Sequence, residues 1–544
     1  MSRKILIIII VPTALLALFG WLGVYGLQGE EPRRALISIE MLKDGDYIFP
    51  HMFGWMYYNK PPLFNWLMVG FFQIMGTINE WAVRMPSTLS IIFLAFLNWK
   101  FARNFIDDKT ALFSSFFILT NAEVLFYGSV YSGEIDLFFA LLVYLQVMSF
   151  FIFFSKGNYL LMYLISYFIA ALSFMTKALP AIPFQVLTIG FVLLYFKKWK
   201  LLFTWQHLLG ILVFSGIILG YIALLSTENQ ETQFIIRQFK EASQRTGIET
   251  SSIDTIKGSL VFPFRIILLF LPWSVLLVFL FSKKMLVQLK QNRLIVFTLI
   301  FMVVNLPIYW FTGDFKSRYI YPFIPFISIL LGFLLSNGLS ILPKVRIWLE
   351  RFLLFIFILV PIAMIAVFFI PILKNVSVNI FLQLGLIAVS VVLLWLYFRL
   401  KDQRILLTIL LLFVVRLGFN NTFIQTLKTE LKAHYYQEET KRLIDLTQGE
   451  KIFLSGHPMQ FESEYNLGPI HFKADSLKTA PYIAFQIPYY ITLQSGNLVY
   501  YEEKMSAGKY YLVQERFVDR NNLEVHDSIH DYFTSWDWLL VTKD

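Results

Sequence analysis

Apolar runs long enough to cross a bilayer, separated by short polar stretches, recur along most of the chain. A bilayer core needs about 20 apolar residues per helix, and the runs predict roughly thirteen spans. They lie near residues 5–25, 85–105, 110–128, 134–155, 159–176, 179–197, 205–225, 262–282, 293–311, 319–338, 350–372, 378–398 and 403–424. The first run follows Met-Ser-Arg-Lys and lacks a small-residue cleavage site, so it reads as an uncleaved membrane helix. Two long stretches break the pattern, 26–84 and the tail from about 425. Shorter external loops are expected at 226–261 and near 312–318. In the first stretch, Leu36, Ile37, Ile39, Met41 and Leu42 alternate with polar positions at helical spacing. They predict an amphipathic helix lying at the membrane interface, with Pro32 in its first turn and Gly45 as its stop. The tail has a charged helical pattern over Lys428–Leu446, then alternating runs at Lys451–Leu454, Tyr510–Gln514 and Trp538–Thr542. That pattern predicts a small α/β domain. It carries no glycine-rich phosphate loop and no histidine cluster, and reads as a lid or docking module.

The expected architecture is therefore a polytopic α-helical membrane protein with a small C-terminal external α/β domain. Residues 1–424 form the membrane domain, which includes the first external loop 26–84, and residues 425–544 form the external domain.

Composition agrees with this. Of 544 residues, 57% are hydrophobic, 18% aromatic and only 15% charged. The charged share lies well below the roughly 25% of soluble domains, which excludes a water-soluble enzyme and also disorder. Lys and Arg outnumber Asp and Glu by 46 to 36, a net charge of +10. The basic residues cluster between apolar runs, so the partner they imply is membrane lipid and not nucleic acid. With a cytoplasmic N-terminus, the groups Lys100, Arg103 and Lys109; Lys197, Lys198 and Lys200; Lys283, Lys284 and Lys290; and Arg399, Lys401 and Arg404 all fall inside. An odd number of spans then puts the C-terminal domain outside. There are no cysteines, so disulfides, thiolate metal sites and cysteine nucleophiles are excluded.

Candidate chemistry concentrates in the first external loop. Gly29-Glu30-Glu31-Pro32-Arg33-Arg34-Ala35 puts two carboxylates at a helix N-terminus, where the dipole favours their ionised form. They serve equally well as a helix cap. Tyr57-Tyr58-Asn59-Lys60-Pro61-Pro62 is an extended turn that holds Lys60 in place, as an interfacial anchor or as a phosphate ligand. Asn79-Glu80-Trp81-Ala82-Val83-Arg84-Met85-Pro86 leads into the second span.

The acidic pair with arginine, followed by Tyr-x-x-Lys-Pro-Pro and Glu-Trp-Ala-x-Arg-x-Pro, resembles the first loop of GT-C glycosyltransferases. The similarity is to the bacterial aminoarabinose lipid A transferases and, more distantly, to the protein O-mannosyltransferases. It is dense over residues 21–90 and sporadic beyond. The family pattern is Asp-Glu-x-Arg-Tyr-Ala, so Glu30 stands where that pattern has aspartate. The resemblance implies that Glu30 or Glu31 is a catalytic base. It implies that Arg33, Tyr57 and Lys60 bind the donor and its phosphate. Asp136 matches an acidic position of the family, with Glu134 as a competitor, and Lys177 a phosphate or structuring position. Lys316, Arg318 and Tyr319 are further substrate candidates, and Tyr321 a weaker one. The bland readings are a helix cap for Asp136, a snorkelling chain for Lys177 and an interfacial belt for residues 316–321.

The function implied is an inverting glycosyltransferase of a bacterial inner (plasma) membrane, hexosyl or pentosyl. It moves a sugar from a polyprenyl-phosphate donor to an envelope acceptor, whether lipid A, a protein or another glycan. No metal ligands are assigned. A divalent cation stays open, although Asn59 replaces a glutamate common in the family. The rival class, a lipid or solute transporter or flippase, predicts repeated halves or interrupted midplane helices, and neither is seen.

Overall fold

A computed structural model describes residues 2–127, 129–245, 252–310, 316–370, 378–430, 432–455, 483–518 and 523–543. Among these, nine helices are long and apolar enough to cross a membrane. There are ten if Ile256–Leu269 and Trp273–Phe281, bent by 116°, form one span. The remaining expected spans, near 5–25, 110–128 and 179–197, correspond to the shorter helices Arg3–Phe19, Asp108–Leu119 and Ala181–Tyr195. The break in the second of these has a local cause. Asn121 caps a new helix, Ala122–Phe126, by accepting from the Val124 N–H at 3.0 Å. Its amide also donates to the Ile118 carbonyl at 2.8 Å.

The chain divides into two compact units. The first holds Met1–Val24, Arg84–Ala223 and Ala242–Thr426, and is a helical bundle. Its helix Asp136–Ser155 packs along Tyr159–Lys177 and against the 3-10 turn Ser317–Phe323. Apolar residues surround Asp136–Ser155 on all sides, as in a helix buried within a bundle.

The second unit gathers Tyr25–Val83, Leu224–Glu241 and Leu427–Asp544. The stretch between the first two apolar runs thus packs with the C-terminal segment. Strands β1 (His51–Met52) and β2 (Trp55–Met56) form a hairpin. Strands β3 (Ile452–Ser455), β4 (Tyr501–Glu502), β5 (Tyr510–Gln514), β6 (Leu523–Asp531) and β7 (Trp536–Lys543) form a mixed sheet in the order β4-β3-β5-β7-β6. β3 runs parallel to β4 and β5, while β7 is antiparallel to β5 and β6. Tyr511, Val513, Leu539 and Val541 form a buried cluster on this sheet. The helices Ala433–Leu446 and Gln486–Ser495 pack on each other.

The helix expected in the first loop runs over Glu31–Asp44, with Pro32 in its first turn and Gly45 in the left-handed conformation at its end. Its surroundings differ from the expectation. Every residue from Glu31 to Met41 is buried, so the helix does not lie half-exposed on an interface. The reason is tertiary: the helix Leu63–Met75 covers one part of its surface and Gln486–Ser495 another.

Candidate active site

Glu30 ends the turn before the helix Glu31–Asp44, and its carboxylate pairs with the Arg33 guanidinium one turn on. Glu30 keeps 18% side-chain exposure in this pair, against 7% for Arg33. Glu31 has a different job. It is buried, and its carboxylate accepts from the backbone N–H of Gln28 at 2.7 Å, which closes the turn. Gly29, with φ +56, supplies the left-handed step that this turn requires.

Two rings hold Arg33. Its guanidinium carbon lies 5.7 Å from the Tyr57 centroid and 5.6 Å from that of Phe485. Cation–ring contacts of this kind strengthen where water is excluded. Arg34 stands over the same Tyr57 ring, at 5.5 Å.

The turn Tyr57–Pro62 leads directly into the helix Leu63–Met75. Lys60 is buried and its ammonium donates to the Asn59 carbonyl at 3.1 Å. The Asn65 amide donates to the Arg34 carbonyl at 3.2 Å and to the Ser38 hydroxyl at 2.9 Å. These bonds tie the lysine turn to the arginine helix. A third segment, the helix Glu231–Arg245 with Gln230 just before it, grips the turn. Arg237 donates to the Asn59 side-chain oxygen at 3.0 Å, and Gln238 donates to the Tyr58 carbonyl at 2.6 Å. The Tyr58 hydroxyl donates to Gln230. The Asn59 oxygen already accepts from a cation, so it does not suit a divalent ion. Among the described residues, no group of three or more His, Asp or Glu could hold one.

The hairpin before the lysine turn is built on a buried carboxylate. Phe53 and Gly54 have φ of +60 and +81, as a two-residue hairpin turn demands. A phenylalanine in that region is strained, by about 1–3 kcal/mol. Glu40 offsets this by accepting from the Phe53 N–H at 2.9 Å and the Gly54 N–H at 2.7 Å. The Phe53 carbonyl accepts from the Tyr501 N–H at 3.1 Å, and its ring packs on Phe485 and Tyr501. Burial pushes the Glu40 carboxyl from its ordinary 4.5 up to about 8, against the pull of the Gly54 and Phe53 amides.

The other expected residues lie in the first unit. Asp136 and Lys177 are both buried and form an ion pair, with the Lys177 ammonium 5.2 Å from the Phe139 centroid. Arg318 pairs with Glu134 at 3.1 Å and feels the Asp136 charge. Tyr319 stacks on Tyr309 with centroids 5.2 Å apart, and Lys316 precedes the turn that carries both Arg318 and Tyr319. Tyr321 donates to the Glu123 carboxylate at 2.7 Å. Glu30, Glu31, Arg33, Tyr57 and Lys60 thus gather in the second unit, and Asp136, Lys177, Lys316, Arg318 and Tyr319 in the first.

Sequence reading missed Arg34, Glu40, Arg237 and Phe485. Arg34 was visible as the position where the family pattern has tyrosine. The helical period of 231–245 could have suggested a packed face that includes Phe234 and Gln238, both buried. Nothing local marks Phe485 or Glu40, because their partners are remote in sequence.

Residues 59–221 match the family described as dolichyl-phosphate-mannose-protein mannosyltransferase. An undecaprenyl phosphate-alpha-4-amino-4-deoxy-L-arabinose arabinosyl transferase of Edwardsiella ictaluri is 28% identical over 222 residues, 38% of this chain and 37% of that protein. A transferase of the same name from Pseudomonas savastanoi pv. phaseolicola is 36% identical over 95 residues, 17% of this chain and 18% of that protein. The matched segments thus span well under half of these relatives. ArnT from Cupriavidus metallidurans shares the fold over nearly its whole length. Its apo crystal structure has a TM-score of 0.68 at 16% identity, covering 98% of this chain and 97% of that one. Its complex with undecaprenyl phosphate has a TM-score of 0.70 at 17% identity, covering 99% and 98%.

The fold is that of a polytopic helical membrane protein and is shared with ArnT. Within that class the chain resembles the aminoarabinose transferases.

Proposed function

We propose that the protein is a glycosyltransferase of a bacterial inner membrane. It moves a sugar from a polyprenyl-phosphate donor to an envelope acceptor, with inversion at the anomeric carbon. The observation that carries this reading is the Glu30–Arg33 pair, clamped between two aromatic rings and tied to the lysine turn by Asn65.

In this reading Glu30 takes the proton of the acceptor as the acceptor oxygen attacks the anomeric carbon. The bond from that carbon to the phosphate oxygen breaks, and polyprenyl phosphate leaves. Glu30 suits the role better than Glu31, since it retains exposure and Glu31 is engaged by the Gln28 amide. Lys60, Arg33 and Arg237 stabilise the charge gathering on the phosphate, the kind of term that often dominates catalysis. Tyr57 holds the arginines. Asp136, Lys177, Lys316, Arg318 and Tyr319 are the further substrate-binding residues in this reading. The N-terminus is cytoplasmic and residues 425–544 are external.

The test is Glu30→Gln in purified protein given undecaprenyl phosphate-linked sugars. Loss of a general base is typically worth about 10²–10⁴-fold, and a loss of that size is expected with donor binding retained. Full activity would remove Glu30 from the role.

A further inference from the structure

Arg34 is only 4% exposed. Among the described residues its Nη1 is enclosed and has no hydrogen-bond partner. The acids on its own helix and cap are engaged elsewhere. Glu30 pairs with Arg33, Glu31 accepts from Gln28, Glu40 holds the hairpin amides, and Asp44 accepts from the Tyr500 hydroxyl at 3.1 Å. The ring beneath Arg34 belongs to Tyr57, whose own hydroxyl is buried without a partner. A ring face offsets only part of the cost of burying a cation. A buried charge with no counter-charge is strongly unfavourable, and leaving the Tyr57 hydroxyl unsatisfied adds to it.

We propose that Arg34 and Tyr57 form a subsite for a second anionic group of the substrate, a carboxylate or a phosphate ester distinct from the donor phosphate. A planar guanidinium binds either group through paired N–H donors, and the phenol adds a third. The substrate class follows: the transferred sugar or its acceptor is acidic. The 4-amino-4-deoxy-L-arabinose of the relatives carries an amine, which a buried guanidinium repels when protonated. This inference rests on the transferase reading above and sharpens its substrate.

The test uses the full-length protein in lipid nanodiscs. One arm compares undecaprenyl phosphate carrying a hexuronic acid, a neutral hexose or a 4-amino-4-deoxypentose. A second arm compares lipid A acceptors with and without their phosphates. Binding of bare undecaprenyl phosphate is measured beside both. In one arm, the wild-type protein is expected to favour the acidic compound by about tenfold or more in kcat/KM, as a charge-assisted pair provides. The arm that responds identifies the source of the anion. Arg34→Gln and Arg34→Tyr should erase the preference, Arg34→Lys should keep most of it, and all three should bind undecaprenyl phosphate as the wild type does. No acidic preference in either arm overturns the proposal, as does a preference that survives Arg34→Gln. A parallel loss of undecaprenyl phosphate binding also overturns it, and makes Arg34 a ligand of the donor phosphate. A wild-type protein that binds no undecaprenyl phosphate overturns the transferase reading itself.

Discussion

Arg33 comes from the helix Glu31–Asp44 and Phe485 from the C-terminal segment, and the guanidinium carbon of one lies 5.6 Å from the ring centroid of the other. The contact gives the C-terminal segment a direct hold on a cation proposed to face the donor phosphate. A remote docking module would not have one.

Replacing Phe485 by leucine keeps much of the volume and removes the ring. Cation–ring contacts are worth about 0.5–2 kcal/mol, so catalytic efficiency should fall roughly 2- to 30-fold. Phe485→Tyr should restore it. The double variant Arg33→Lys, Phe485→Leu should lose less than the two single losses combined, since the partners share one interaction. Kinetics on the four proteins decide the matter, with full additivity the opposing result.

Glu40 sets a pH dependence. Its carboxyl titrates near 8 in the folded protein and at 4.5 in the unfolded chain. Between those values the folded state holds a proton that the unfolded state has released. The group's contribution to stability is therefore complete below about pH 4.5 and declines as pH rises through 8. Thermal unfolding at pH 5 and pH 8 should show this decline in the wild type. Glu40→Gln cannot titrate and should flatten it. An equal slope in both proteins would place the effect elsewhere.

Asp136 and Lys177 form a buried pair, and breaking such a pair removes the direct counter-charge of the group that remains. Asp136→Asn or Lys177→Met alone should each cost about 3–5 kcal/mol of stability. The double variant should be markedly milder than either single loss. Unfolding midpoints in detergent would reveal the pattern, and equal destabilisation in all three would contradict it.

Gly54 approaches the C-terminal segment closely. A Cβ built there would stand 2.9 Å from the Tyr500 ring, and its φ of +81 disfavours any side chain. Gly54→Ala should therefore destabilise the hairpin by more than the roughly 0.4–1 kcal/mol that such a change gains at a compatible site. Faster hydrogen exchange at Phe53 and Gly54 would register it, and unchanged exchange would refute it.

Much of the membrane architecture was legible from local signals. Apolar length marked the spans, and Pro32 and Gly45 bounded the loop helix, whereas the break that Asn121 makes in one expected span emerged only from the structure. These signals work because span length and helix ends depend on neighbours within a few residues. The motif residues Glu30, Arg33 and Lys60 were legible for the same reason, as a short pattern with a known resemblance.

What tertiary structure alone decided is which remote groups meet. The loop helix is buried on several sides because Gln486–Ser495 covers it. Glu31 closes a turn while Glu30 stays accessible, a difference that two adjacent glutamates do not announce. Arg237 reaches Asn59 and Phe485 reaches Arg33 from segments far away in the sequence. The physical reason is that hydropathy and capping are properties of a few consecutive residues. The partner of a buried charge is chosen by packing among segments far apart in the chain.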